Sequence, residues 1–230
     1  MIYLTGDTHG DFERVSELAG DLESTLDDVM VILGDAGINY YGASGDGGLK
    51  EQLSALPITL FCIHGNHEMR PENISTYEEK HWRGGIVYWE PAFPNLLFAK
   101  DGELFELEGY RCIAIGGAYS VDKYSRLRAG GGGWWPDEQP SEEIKQHVEA
   151  RLAAEAWDVD IVLSHTCPYK YIPRHTFLPI IAQSAVDNST EEWLDRIEAR
   201  LRYECWFCGH FHTDESIDRL RFMYTDIIDL

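Results

Sequence analysis

The sequence of 230 residues has no long apolar run, few basic residues and no regular cysteine spacing. None of its apolar stretches approaches the roughly 20 residues of a membrane-spanning helix, which excludes a membrane protein of that class. Its nine prolines and 21 glycines are scattered, which excludes a collagen-like or low-complexity chain. Residues 1–6 contain neither a basic n-region nor a cleavage site, so we expect a cytoplasmic protein.

Positive charge is scarce, since 40 acidic residues face 19 basic ones and the formal net charge is -21. Such a surface repels a polyphosphate backbone, and no basic groove in the sequence offsets it. This balance disfavours long nucleic acid as a partner. The five cysteines are an odd set dispersed through apolar segments, which favours reduced, buried thiols over a disulfide framework.

Short apolar runs alternate along the chain with segments of helical periodicity. The runs of strand length are residues 2–4, 29–33, 58–63, 112–115, 161–163 and 205–208. The helical segments are residues 12–22, 48–56, 142–157 and 191–203, with N-caps expected at Asp11, Ser141 and Thr190. This alternation predicts an α/β fold. Residues 86–109 and 215–230 have the pattern of antiparallel strands, which predicts a second, antiparallel-rich sheet packed on the first.

No linker interrupts this pattern, so we expect one domain over residues 1–230, with a Gly- and Trp-rich loop insertion at about 117–140. In the insertion, Trp134 and Trp135 follow four glycines at positions 130–133. Two interpretations stay open. The tryptophans either pack on the second sheet or form a hinged lid that stacks on a substrate ring, with Arg126 and Arg128 nearby to meet phosphate.

Polar clusters follow nearly every predicted strand, where open α/β sheets bind their ligands. They are Gly6-Asp7-Thr8-His9-Gly10, Gly34-Asp35-Ala36-Gly37, Gly65-Asn66-His67-Glu68, Ser164-His165-Thr166 and Gly209-His210-Phe211-His212. In an extended segment, the i,i+2 spacing of Asp7 and His9 places both side chains on one side, and the same holds for His210 and His212. A set of carboxylates, imidazoles and one amide without thiolate suits Mn, Fe, Zn or Co.

The ordered clusters resemble the five-part signature of the calcineurin-like metallophosphoesterase superfamily, which is D-x-H, G-D, G-N-H-[DE], H and G-H-x-H. The resemblance spans residues 7–212. It implies a four-layer αββα sandwich, in which helices flank two packed mixed β-sheets. It also implies two divalent metal ions, with Mn favoured, and phosphoester hydrolysis by a metal-bridging hydroxide.

The same resemblance assigns roles to individual residues. One metal would be held by Asp7, His9 and His212. The other would be held by Asn66, His165 and His210, with Asp35 bridging both. His67 would act as the general acid or as an electrostatic clamp on the phosphate, with Glu68 as a candidate partner.

The sequence departs from the protein-phosphatase branch of that superfamily after Asp35. That branch has G-D-x-x-D-R-G, whereas Ala36 and Gly37 follow Asp35 here, so its phosphate-clamping arginine is missing. This departure weakens the case for protein phosphatase activity. The candidates to replace that cation are Arg70, Arg126, Arg128, Lys170 and Arg174.

We therefore expect a metal-dependent phosphoester hydrolase that acts on a small phosphoester or nucleotide, with a phosphomonoester favoured. The alternative enzyme is a phosphodiesterase on cyclic or linear nucleotides, and the acidic balance disfavours a nuclease on long DNA. The alternative from another class is a non-catalytic interaction module on the same fold. Such a module is expected to lose ligands or the histidine after Asn66, whereas here all are present.

Overall fold

A computed structural model describes residues 1–130, 133–177 and 181–230, whose strands form two sheets. The first sheet has seven strands, in the order β13 (Ile228–Asp229), β1 (Ile2–Thr5), β2 (Val29–Ile32), β3 (Thr59–Cys62), β6 (Phe93–Ala99), β5 (Gly85–Glu90) and β4 (Glu78–Trp82). The second has six, in the order β11 (Glu215–Ile217), β12 (Leu220–Phe222), β10 (Cys205–Cys208), β9 (Ile161–Ser164), β8 (Tyr110–Ile115) and β7 (Leu104–Leu107). Both are mixed, with parallel strands at the centre and antiparallel strands at the edges.

Apolar side chains fill three layers, which makes the architecture helix, sheet, sheet, helix. Residues such as Phe61 and Leu163 fill the space between the two sheets. The helices in the described ranges are α1 (Glu13–Asp21), α2 (Gly47–Ser54), α3 (Lys123–Arg128), α4 (Glu142–Ala154) and α5 (Ser189–Glu198). Leu53 of α2 packs against the first sheet and Trp193 of α5 against the second. The expected two-sheet sandwich is thus confirmed, and none of these helices is long and apolar enough to cross a membrane.

The helix starts agree with the sequence at α4 and differ at α1 and α5. Ser141 caps α4, because its hydroxyl accepts the backbone N–H of Ile144 at 3.3 Å. Phe12, not Asp11, is the N-cap of α1, although the Asp11 carboxylate accepts the backbone N–H of Glu13. The predicted cap of α5 at Thr190 is also wrong. That helix starts earlier, because the Asp187 carboxylate accepts the N–H of Ser189 at 3.0 Å.

The predicted antiparallel meander over residues 86–109 is divided between the sheets. Strands β5 and β6 pair antiparallel in the first sheet, whereas β7 pairs with β8 in the second. Glu108 and Gly109 both have positive φ, so they form a two-residue turn that sets Leu107 against Tyr110 and pairs β7 locally. The second sheet is therefore less antiparallel than expected, since β8, β9, β10 and β12 run parallel.

The expected insertion at about 117–140 contains the short helix α3, and its Gly131 and Gly132 lie outside the described residues. The expectation of a single domain over residues 1–230 stays a prediction.

Candidate metal centre

The carboxyl ends of β1, β2, β3, β9 and β10 meet at one edge of the sandwich, and the polar clusters follow them there. Two cross-sheet hydrogen bonds join the clusters. The Asp7 carboxylate accepts the backbone N–H of His210 at 2.9 Å, and His165 Nδ1 lies 2.8 Å from the carbonyl oxygen of Leu33. These two hydrogen bonds hold loops that are far apart in sequence close together at this edge of the sandwich.

The first group of potential ligand atoms comes from Asp7, His9 and His212, which lie within 4.8 Å of one another. The Nε2 atoms of His9 and His212 are 3.0 Å apart, and His212 Nε2 is 3.2 Å from Asp7 Oδ2. Asp7 Oδ2 is buried and accepts no hydrogen bond from the described residues. Two imidazole nitrogens facing an orphaned carboxylate oxygen fit a divalent cation.

The second group comes from Asp7, Asp35 and His165. His165 Nε2 lies 3.7 Å from Asp35 Oδ1 and 2.8 Å from the amide oxygen of Asn66. The His210 ring is 5.0 Å from the His165 ring, so it completes the same cluster. Asp7 is common to both groups and Asp35 belongs to the second, so the expected bridging role of Asp35 stays a proposal.

The glycines of the motifs are required by close approach. A Cβ at Gly65 would overlap Asp35, one at Gly209 would overlap the Asp7 carboxylate, and one at Gly34 would overlap the His165 ring. Each glycine therefore lets backbone from one cluster approach a candidate ligand of another.

Four of the candidate ligands have left-handed backbone conformations. The φ angles are 48° at His9, 46° at Asp35, 68° at His210 and 49° at His212. Each such residue costs about 1–3 kcal/mol, and such strain persists where the surroundings impose it, often at active sites. Four of the ten non-glycine residues with positive φ in the described ranges are therefore candidate ligands.

Burial and neighbouring charge shift the protonation of this cluster. Burial alone raises the pKa of the Asp7 carboxyl, but the close approach of His212 and the charges of the nearby histidines outweigh it, and the pKa lies below its usual range. The proximity of the Asp7 carboxylate in turn raises the pKa of His212. Burial, with His165 next to it, holds the pKa of His210 well below its usual value. An ionised carboxylate and a neutral imidazole are the forms that bind metal.

His67 lies at the rim of the cluster, with its Nε2 3.9 Å from Asp35 Oδ2. Its backbone N–H donates to Asp35 Oδ1 at 2.8 Å, which orients that carboxylate. The expected pairing of His67 with Glu68 is wrong. The buried Glu68 carboxyl instead accepts the N–H of Gly65, and burial together with Asp35 raises its pKa to about 8.

Three residues outside the motifs also support the centre. The amide nitrogen of Asn66 donates to Ser120 Oγ at 2.9 Å, which leaves its oxygen facing His165. The Arg14 guanidinium donates to the carbonyl oxygen of Asp7 at 2.9 Å, and the Tyr224 ring stacks on His212 at 4.7 Å. Ser120 follows the end of β8, a sixth strand end that could have indicated it, whereas Arg14 and Tyr224 had no such signal.

A cavity of about 620 Å³ opens beside the cluster. Asp35, Asn66, His67, His210 and His212 form one end of it. Most of the other wall comes from the segment after β9, here called the post-β9 segment (residues 165–188), described over 165–177 and 181–188. Apart from its position after a strand, nothing in the sequence of this segment indicated such a wall.

The residues expected to bind substrate lie elsewhere. Trp134 and Trp135 are half-buried and are not part of the described cavity wall; the Trp135 ring packs over Gly42. They belong to the post-β8 loop, the name used here for residues 116–140. The expectation that these tryptophans contact substrate is thus unsupported by their placement.

The expected phosphate-binding cations are also engaged or distant. Arg70 is buried in an ion pair with Asp101 at 2.7 Å and lines a separate cavity of about 180 Å³, so it is placed as a structural cation. Arg126 pairs with Asp122 at 2.6 Å, and Arg128 is exposed at the end of α3. Lys170 pairs with Glu198, and Arg174 lies over the Tyr169 ring.

A family model for calcineurin-like phosphoesterases matches residues 1–214, and the chain belongs to that family. Among solved structures, TT1561 of Thermus thermophilus is similar at 15% identity and a TM-score of 0.50, covering 97% of this chain and 87% of that one. AQ665 from Aquifex aeolicus matches at 15% identity and a TM-score of 0.30, covering 75% and 81%. No curated protein matches. The family and the grouped ligand atoms support metal-dependent phosphoester hydrolysis.

Proposed function

We propose that this protein hydrolyses small phosphoesters with two divalent metal ions, manganese being favoured. Asp7, His9 and His212 would hold one ion, and Asn66, His165 and His210 the other, with Asp35 shared. The observation that carries the proposal is the orphaned, buried Asp7 Oδ2 between two groups of ligand atoms, each spanning less than 4.8 Å. When bound, two such cations lower the pKa of water and neutralise phosphoryl charge.

His67 supplies the proton in this proposal. Its Nε2 faces the Asp35 carboxylate from the rim of the cavity, so it can reach the leaving oxygen of a phosphoester bound at the cluster. A leaving alkoxide needs that proton, whereas a nitrophenolate does not. Asp35 accepts the His67 backbone N–H and so fixes the position of this residue.

A phosphomonoester is the favoured substrate class. It carries one organic group, and the cavity beside the cluster has room for such a group. A phosphodiesterase is the second candidate, favoured by a different observation. The described residues of the cavity wall include neither lysine nor arginine, and a diester monoanion requires less positive charge than a monoester dianion.

The test is a turnover screen of the manganese-loaded protein on matched nitrophenyl substrates. Nitrophenyl phosphate represents the monoesters and bis(nitrophenyl) phosphate the diesters. We expect the monoester to have the higher kcat/KM. Preference for the diester would establish the second candidate, and no turnover of either, with or without added metal, would contradict the proposal.

A further inference from the structure

The cavity has two ends of different chemistry. The candidate ligands form one end, and apolar side chains from the post-β9 segment form the other, among them Ile172, Phe177 and Val186. In this part of the described wall the charged groups are Asp187, Glu191 and the titratable His175. His175 Nε2 lies 3.3 Å from Glu215, so any positive charge on it is compensated.

Basic residues contribute nothing to this wall within the described ranges. The residues outside those ranges are Gly131, Gly132, Leu178, Pro179 and Ile180, and the sequence shows that none is basic. The distal end is therefore apolar and acidic. A second phosphate or a carboxylate on the substrate would meet like charge there without a partner.

Glu191 is the most informative charged residue of this wall. It is 4% exposed and belongs to the cavity wall. Its Oε1 accepts the hydroxyl of Thr166 at 2.7 Å, whereas Oε2 is buried and has no hydrogen-bond donor in the part of the chain described. Burial raises the pKa of this carboxyl to about 7, and Asp187 adds to the rise.

A buried carboxylate oxygen without a donor costs free energy. A cationic group in the adjoining cavity offsets part of that cost through its charge and presents apolar surface to the rest of the wall. Phe177 in the wall is aromatic, and a cation is attracted to an aromatic ring more strongly where water is excluded.

We propose that the distal end of this cavity binds a cationic, ammonium-bearing organic group, so that the substrates are phosphoesters of amino alcohols. This inference rests on the proposed function for the reaction and on Glu191, Asp187 and Phe177 for the selectivity. Phosphoesters that carry a second anionic group are rejected by the same wall.

The first test compares two substrates that differ in charge but not in shape. Phosphocholine and 3,3-dimethylbutyl phosphate are isosteric, the quaternary nitrogen of one being replaced by carbon in the other. We expect kcat/KM to be at least about tenfold higher for phosphocholine. If the protein is a diesterase, the nitrophenyl diesters of the same two alcohols replace them. Equal rates, or a preference for the neutral ester, would overturn the inference.

A binding measurement separates this inference from the proposed function. Titration calorimetry of the metal-loaded protein with choline and with 3,3-dimethylbutan-1-ol requires no turnover. We expect choline to bind at least about tenfold more tightly. Turnover of nitrophenyl substrates without choline selectivity refutes the inference alone. Choline selectivity without any turnover refutes the proposed function alone.

Substitutions of the acidic residues test which carboxylate is responsible for the preference for choline. Glu191→Gln should reduce the choline preference at least about fivefold, and Asp187→Asn should reduce it less, because Asp187 is exposed and its oxygens accept from Ser189 and Gln139. Glu192→Gln is the matched control, because this neighbour is exposed on the same helix turn. If Glu191→Gln fails to fold, Asp187→Asn alone decides. Equal loss in the control, or none in either cavity variant, contradicts the assignment.

Discussion

Two segments flank the candidate ligands, and they use their aromatic side chains differently. The post-β8 loop directs Trp135 onto Gly42 and holds Arg126 against Asp122, so its conspicuous residues pack against protein. The post-β9 segment contributes Phe177 and Val186 to the cavity wall. The glycine run and the tryptophan pair therefore belong to a loop that packs against the protein. The wall that a substrate would contact comes instead from the post-β9 segment, whose sequence has no unusual feature.

The proposed reaction centre lies between the two segments, and Asp35→Asn should disrupt it. Asp35 contributes negative charge beside His165, and without it two cations would repel each other. We expect activity to fall by more than the roughly 10²–10⁴-fold of a positioned acid, together with metal occupancy. Metal analysis of the purified variant measures this, and near-native turnover with full metal would remove Asp35 from the centre.

His67→Ala tests the proton donor that lies between the segments. We expect kcat to fall by about 10²–10⁴-fold on alkyl esters, with metal content unchanged. The loss should shrink on nitrophenyl esters, whose leaving group departs without a proton. An equal loss on both ester types would instead indicate stabilisation of transition-state charge by His67.

Alanine substitutions in the two segments should have opposite effects on KM and on stability. Phe177→Ala should raise KM about tenfold, because the cavity loses a large apolar contact. Trp134→Ala with Trp135→Ala should lower the free energy of unfolding by about 1–3 kcal/mol while leaving KM nearly unchanged. Thermal melts and Michaelis kinetics measure both. The lid interpretation would return if the tryptophan variant kept its stability and raised KM only for ring-bearing substrates.

An effect on stability that depends on pH is expected from the titration of Glu191. Its pKa is about 7 in the folded protein against 4.5 as the ordinary value. A raised pKa means that this group costs almost nothing below about pH 4, lowers the free energy of unfolding as the pH rises from about 4.5 to 7, and has a constant cost above that range. The free energy of unfolding of Glu191→Gln, measured relative to that of the original protein, should therefore rise by about 3 kcal/mol between about pH 4 and pH 8.

Urea unfolding in the presence of chelator measures this gain at constant metal content. Glu192→Gln, which is exposed, should follow the original protein at every pH. A difference for Glu191→Gln that does not change with pH would show that the carboxyl titrates normally.

The sequence predicted what short-range patterns encode. The six central apolar runs, now β1, β2, β3, β8, β9 and β10, were foreseen because buried strands need continuous apolar residues. The ligand clusters followed from their positions at the strand ends. The assignment of β7 to the second sheet was missed, because pairing depends on the turn at Glu108 and Gly109.

The sequence did not predict the long-range contacts, and the reason is different. Ser120 orients the Asn66 amide from 54 residues away, and Tyr224 stacks on His212 from a different loop. Arg70 is of a residue type that often binds phosphate, but its buried ion pair with Asp101 depends on tertiary packing. Neither spacing nor periodicity encodes such pairs.

In the proposed mechanism, this cluster uses two divalent ions to hydrolyse phosphoesters. Its most direct test is a titration of chelated, inactive protein with manganese, followed by metal content and by turnover of nitrophenyl phosphate and bis(nitrophenyl) phosphate in parallel. We predict that activity on at least one of them returns and reaches its plateau at about two equivalents of metal per chain. Full activity in the chelated protein, or a plateau without bound metal, would contradict the account.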